Sequence, residues 1–265
     1  MAQAAKTYDK EAEACEVIVE RLQSDRLIRV FIGTGDDAKA FSIQQVLLEN
    51  ISEYFVKSIK HDNLGKEKDS GILRFPDDDI EAWKVLLFWL MRREFPRKAM
   101  TGKEELAVSC WVLGDRYGIS RFQDEAMLSL LKTMDTAWLG REAIISAFKG
   151  TPPGSMLRRA VAEEVVNNLD QGQGLRFTDI DNMLNGLNFA GELFEAQNRY
   201  ADRESHSVSR HDEIICRFGS EEQEVRPTWE EYMVGKKYPS FAEDVAGYLR
   251  DEQPREKSPL GSALG

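Results

Sequence analysis

"LGDRYGISRFQDEAM", Leu113 to Met127, reads as one helix that stops and a second that starts at once. Gly118 can take the left-handed conformation that closes a helix, and Ile119 is placed to fold back near Leu113. Ser120 offers a hydroxyl to the free N–H groups of the next helix, and Gln123 completes a capping-box pattern. Such a corner serves either a DNA-reading helix–turn–helix or a plain αα-hairpin. A recognition helix presents basic and amide side chains to a groove. Here Arg121 is followed by Gln123, Asp124 and Glu125, whose charges a phosphate backbone repels. Phe122, Ala126 and Leu130 supply an apolar stripe, so the corner is expected to close a helical cluster around a core.

The totals agree with that reading. A chain of 265 residues suits one or two domains with a sizeable core. With 46 acidic and 35 basic residues, the formal net charge is -11. A nucleic-acid binder needs a basic face, so direct nucleic-acid binding is not expected, nor is attachment to an acidic membrane. Cys15, Cys110 and Cys216 are widely spaced and odd in number, with no disulfide framework and no paired zinc motif. That usage fits a reducing compartment, cytoplasm or nucleus. The opening "MAQAAKTYDKEAEACEV" carries charges where a signal peptide has an apolar run. The apolar stretch Val85 to Met91, bounded by Lys84 and Arg92, is too short to span a bilayer.

Outward from the corner, the periodicity orders the rest. Residues 8–23 carry Ala12, Cys15, Ile18, Val19 and Leu22 at helical spacing. "LIRVFIG" alternates, with Ile28, Val30 and Ile32 on one side; "GTGDDAK" is a turn and "AFSI" the returning strand. Leu47, Leu48 and Ile51 mark a helix, after which Ser52 can cap another that carries Tyr54, Phe55 and Ile59. "KHDNLGKEKDSG" reads as a solvated loop containing His61, and "ILRF" as a short strand. "PDDDIEAWKVLLFWLMRRE" is a helix apolar nearly all round, capped by Asp78 with Glu81 at its third position. After a break at Phe95-Pro96, a helix with Leu106, Cys110, Leu113 and Tyr117 leads into the corner. Beyond it, Trp138, Ile145 and Phe148 mark one helix, and Leu157, Val161, Val165 and Leu169 the next. A third, capped by Thr178, carries Ile180, Met183, Leu184, Leu187 and Phe194. After about Tyr200 the periodicity fades into a charged stretch expected to be mostly disordered, except for a helix in "SFAEDVAGYL" that includes Phe241 to Leu249.

Little of this points to chemistry. Gly33-Thr34-Gly35-Asp36-Asp37-Ala38 fits G-x-G-x-x-A after a strand, the dinucleotide pattern. That pattern must open a helix on a pyrophosphate, whereas a strand is expected next and two aspartates would repel the phosphates. Asp77, Asp78 and Asp79 suit a helix start better than a metal site. His206, His211 and Cys216 have no zinc spacing. Cys110 lies on a helix stripe and reads as core. No catalytic residue, cofactor or metal is expected. "RREFPRK", Arg92 to Lys98, is a basic cluster in an acidic chain, either a solvated face or a partner-binding loop.

Taken in order, these segments resemble the BTB/POZ domain in the form common in fungal proteins. "SDRLIRVFIG" is similar to the family's first strand. In "AFSIQQVLLENISEYFVKSI" the likeness is carried by Phe41, Ile43, Leu47, Leu48, Ser52, Tyr54 and Phe55. "LRFPDDDIEAWKVLLFWLM" resembles the family's strand, acidic cap and third helix, "LGDRYGISRFQDEAM" the corner between its last two helices, and "GTPPGSMLRR" a segment following the domain. The family's histidine after Phe-x-Val is Gln44 here, and its Tyr-Thr-Gly is Met91-Arg92-Arg93. The resemblance implies an α+β BTB/POZ fold, a helical cluster flanked by a small three-stranded or larger sheet, then an α-helical extension and a mostly disordered tail. The expected parts are an N-terminal helix at 1–23, the domain at 24–134, the extension at 135–200 and an acidic tail at 201–265.

It also implies a protein-interaction module that homodimerises or serves as an adaptor for a cullin-type ubiquitin ligase. By location in the family, the partner surface falls on Arg92, Arg93, Glu94, Phe95 and Arg121. The competing expectations are a nuclear scaffold or transcription co-regulator that does not itself bind DNA, and, with least support, an enzyme.

Overall fold

The computed structural model describes residue 20 and residues 26–35, 38–62, 71–170, 176–206 and 229–235. Most of the expected N-terminal helix, the loop after residue 62, His211, Cys216 and the Phe241 to Leu249 helix lie outside the described residues. The architecture is α+β. Strands β1 (Leu27–Ile32), β2 (Lys39–Gln44) and β3 (Ile72–Phe75) form a three-stranded mixed sheet in the order β2-β1-β3. The helices are α1 (Gln45–Glu49), α2 (Glu53–Asp62), α3 (Ile80–Arg92), α4 (Arg97–Met100), α5 (Glu104–Tyr117), α6 (Ser120–Thr136), α7 (Arg141–Gly150), α8 (Met156–Asp170), α9 (Phe177–Leu184) and α10 (Ala190–His206). The 3-10 turn Trp229–Tyr232 lies in the last stretch of described residues.

The chain divides into two compact units, residues 1–83 with 117–119, and residues 84–116 with 120–265. In the first unit, β1 pairs antiparallel with β2, from Leu27 opposite Gln44 to Ile32 opposite Lys39. β1 pairs in parallel with β3, from Arg29 opposite Ile72 to Ile32 opposite Phe75. Alternation puts Ile28, Val30, Ile32, Ile43, Leu73 and Phe75 on the buried face. The G-x-G-x-x-A segment links two antiparallel strands, with Gly33 and Gly35 at positive φ, and strand β2 follows it from Lys39. Ser52 caps α2 by accepting from the Tyr54 N–H at 3.0 Å, while its own hydroxyl donates to the Tyr117 carbonyl. Phe55, Phe75, Trp83 and Tyr117 pack ring on ring, with Phe75 and Trp83 stacked at 5.1 Å. Asp78 anchors this cluster by accepting from Trp83 Nε1 and the Tyr117 hydroxyl.

Several local expectations need correction. Asp79, not Asp78, caps α3: its Oδ1 accepts from the N–H groups of Glu81 at 2.7 Å and Ala82 at 3.2 Å. The indole and phenol claim Asp78 and leave Asp79 for the helix. His61 belongs to α2, not to the loop after it. At the corner, Gly118 does take a φ of 65°. Gln123, however, donates its side-chain amide to Asp115 at 3.1 Å, and no Ser120–Gln123 capping box forms.

In the second unit, α8 packs against α7 and α10, and α9 against α7. Leu157, Val161 and Val165 are buried as the stripe requires, but so are Glu163, Glu164, Asn167 and Asn168. The helix expected from Thr178 is two helices. Gly186 and Asn188 take positive φ in the turn between α9 and α10, and the Arg176 N–H donates to Asp179 where Thr178 was expected to cap. Phe194, expected in the core, is 68% exposed. Cys110 is a buried thiol. Among the described residues no helix is long and apolar enough to cross a membrane.

Candidate functional site: an apolar and basic edge at the end of α3

α3 begins with Asp79 as its cap and ends in the basic residues Arg92 and Arg93, as a helix dipole favours. Its inner positions Val85, Leu86, Trp89 and Leu90 are buried. Phe88 and Met91, three residues apart and so adjacent on one face, remain 44% and 72% exposed. Just beyond them Arg92, Arg93 and Glu94 are exposed, and Arg92 has no ion-pair partner among the described residues. Arg93 takes a left-handed φ of 54°, which turns the chain out of the helix, and its guanidinium lies 5.7 Å from the Trp89 ring centroid.

Of the residues assigned to a partner surface, Arg92, Arg93 and Glu94 lie together on this edge. Phe95 does not. It is 2% exposed, with its ring 5.6 Å from that of Phe122. Its place as a contact residue is therefore corrected to a core anchor: an aromatic ring gains more from burial than from staying in water. Arg121 is half-buried and donates to Glu125 at 3.3 Å.

Glu125 holds this local structure together. One carboxylate oxygen accepts from Trp89 Nε1 and Arg121, and the other from the Phe95 N–H at 3.1 Å. It thereby ties the end of α3, the following loop and α6. Burial raises its pKa above the ordinary carboxylate value, against the lowering effect of the Trp89 hydrogen bond and of Arg97 and Arg121. Asp124 is raised too, first by burial, against two backbone hydrogen bonds from Val234 and Gly235 and with the help of Glu125.

Gln123, Asp124 and Glu125, read from the sequence as groups that a phosphate backbone would repel, are interior groups. Their burial leaves no periodic mark in the sequence, because polar residues fill most of the first turn of α6. Trp229 and Tyr232 were missed as well, because a lone aromatic pair in a charged stretch has no periodicity to mark it. No group of three or more His, Cys, Asp or Glu side chains is placed to hold a metal among the described residues. Compared with known proteins, the chain matches no family model and no curated protein.

Proposed function

We propose that the chain is a protein-interaction module of the BTB/POZ type. It acts through the end of α3, either pairing with a second copy or recruiting a cullin-type scaffold of a ubiquitin ligase. The observation that carries this reading is the edge itself. Phe88 and Met91 offer apolar area to a partner, and Arg92 and Arg93 offer charge beside it, in a chain whose net charge is otherwise strongly negative. Interfaces favour aromatic, Met and Arg side chains in this arrangement. The order β1, β2, α1, α2, β3, α3 and the α5–α6 corner support the family assignment, since Phe41 and Ile43 fall in β2, Leu47 and Leu48 in α1, and Tyr54 and Phe55 in α2. The α7–α10 extension occupies the place where cullin-binding adaptors carry extra helices, by analogy of position alone.

The test separates edge from core. Charge reversal by Arg92→Glu with Arg93→Glu should keep a cooperative melt, with only the small loss expected at a helix C-terminus, while lowering affinity for a purified cullin N-terminal domain at least tenfold, or reducing a self-associated species to monomer. If the variant binds and associates as the parent does, this surface is not the interface.

A further inference from the structure

The turn Trp229–Tyr232 and the residues up to Gly235 lie against α6 and α8. Trp229 and Tyr232 are buried, Tyr232 completely. The Tyr232 hydroxyl donates to Glu163 at 2.6 Å, and Glu163 also accepts from Arg159 on its own helix and from Arg199 on α10. Arg159 lies over the Tyr232 ring at 5.4 Å and pairs with Glu231 at 2.6 Å. The N–H groups of Val234 and Gly235 donate to the two oxygens of Asp124, at 2.6 and 2.9 Å.

Asp124 makes these contacts informative. It is buried on α6, and among the described residues its only hydrogen bonds come from Val234 and Gly235. A buried carboxylate without donors is costly, so this helical face is built to receive backbone N–H groups from outside the helices. The other holding groups are of the same kind: a carboxylate for a phenol, an arginine for a glutamate and for a ring. These charged, directional contacts fix the register of a segment whose Trp229 and Tyr232 rings are themselves buried.

We propose that the face formed by α6, α8 and α10 is a peptide-binding site, and that its ligand is the chain's own Trp229–Gly235 segment, docked reversibly in cis. The class of peptide it takes is an aromatic residue followed three positions later by tyrosine, with an acidic residue just before the tyrosine and two successive free N–H groups after it. Arg159 reads the acidic residue, Glu163 the phenol, and Asp124 the pair of N–H groups.

The probe is a fluorescent peptide of residues 228–235, titrated in an anisotropy assay into the full chain and into a full-length Trp229→Ala, Tyr232→Ala variant. The parent, its site filled, should bind weakly. The variant should keep a cooperative melt and bind the probe at least tenfold more tightly, and a probe carrying the same two alanines should bind neither. In the parent, the Val234 and Gly235 amides should exchange hydrogen at least tenfold faster than the slowest amides of α6. A variant that melts without cooperativity, a folded variant that ignores the probe, or strap amides that exchange only with global unfolding would each overturn the proposal. Each of those results makes the segment an integral part of the core.

Discussion

Single side chains here separate what holds the fold from what stays exposed. Phe95 sits beside Arg92, Arg93 and Glu94 in sequence, yet it is buried while they are exposed. Phe95→Ala should destabilise the chain by about 3–5 kcal/mol, the usual cost of a buried aromatic, as read from urea unfolding. Gly114 is a second such position. A Cβ there would lie 2.9 Å from the Gln123 Cβ and 3.0 Å from its Cα, so α5 and α6 touch backbone to backbone. Gly114→Ala should therefore cost about 1–3 kcal/mol by overpacking, despite the helix propensity gained. An unchanged unfolding midpoint would contradict the close approach.

The paired acids add a pH dependence. Asp124 and Glu125 both hold protons more tightly in the folded chain than an ordinary carboxyl does, through burial. Their contribution to stability is therefore largest below the ordinary carboxyl range, and it declines as pH rises through their raised folded values. The urea midpoint should be higher at pH 5 than at pH 8, and the difference should shrink in Asp124→Asn. The parent's net charge of -11 pushes in the same direction, so the shrinkage, not the slope alone, isolates the buried acid.

At the level of elements, the sequence was legible wherever a period repeats. Ile28, Val30 and Ile32 alternate and are buried in β1, and Leu157, Val161 and Val165 recur and are buried in α8. The left-handed Gly118 is visible in advance because only a glycine closes a helix there without strain. What could not be read is which polar group wins a contest for partners. Asp78 and Asp79 are both competent caps, and a Trp83 indole and a Tyr117 hydroxyl, brought near only by folding, decide between them. Ser120 and Gln123 spell a capping box, but Asp115 one helix back takes the Gln123 amide. The α9–α10 break rests on Gly186 and Asn188, two left-handed residues inside a stretch whose apolar spacing runs on unbroken. The candidate edge was legible in part. Its charges stand out in an acidic chain, but the exposure of Phe88 and Met91 and the burial of Phe95 depend on which face of α3 is covered.

For the whole molecule, some charged groups serve as buried anchors while those at the end of α3 stay uncovered. Glu125, Asp124, Arg158 and Glu163 are held inside by at least two hydrogen bonds each, whereas Arg92 and Glu94 are exposed and make no ion pair or side-chain hydrogen bond among the described residues. The most direct test is light scattering on the eluting full chain, alone and mixed with a purified cullin N-terminal domain. The expected result is a mass above the 30.2 kDa of a single chain, as a dimer of about twice that mass or as a complex with the added domain. Separate monomers of both proteins, alone and in the mixture, would contradict it.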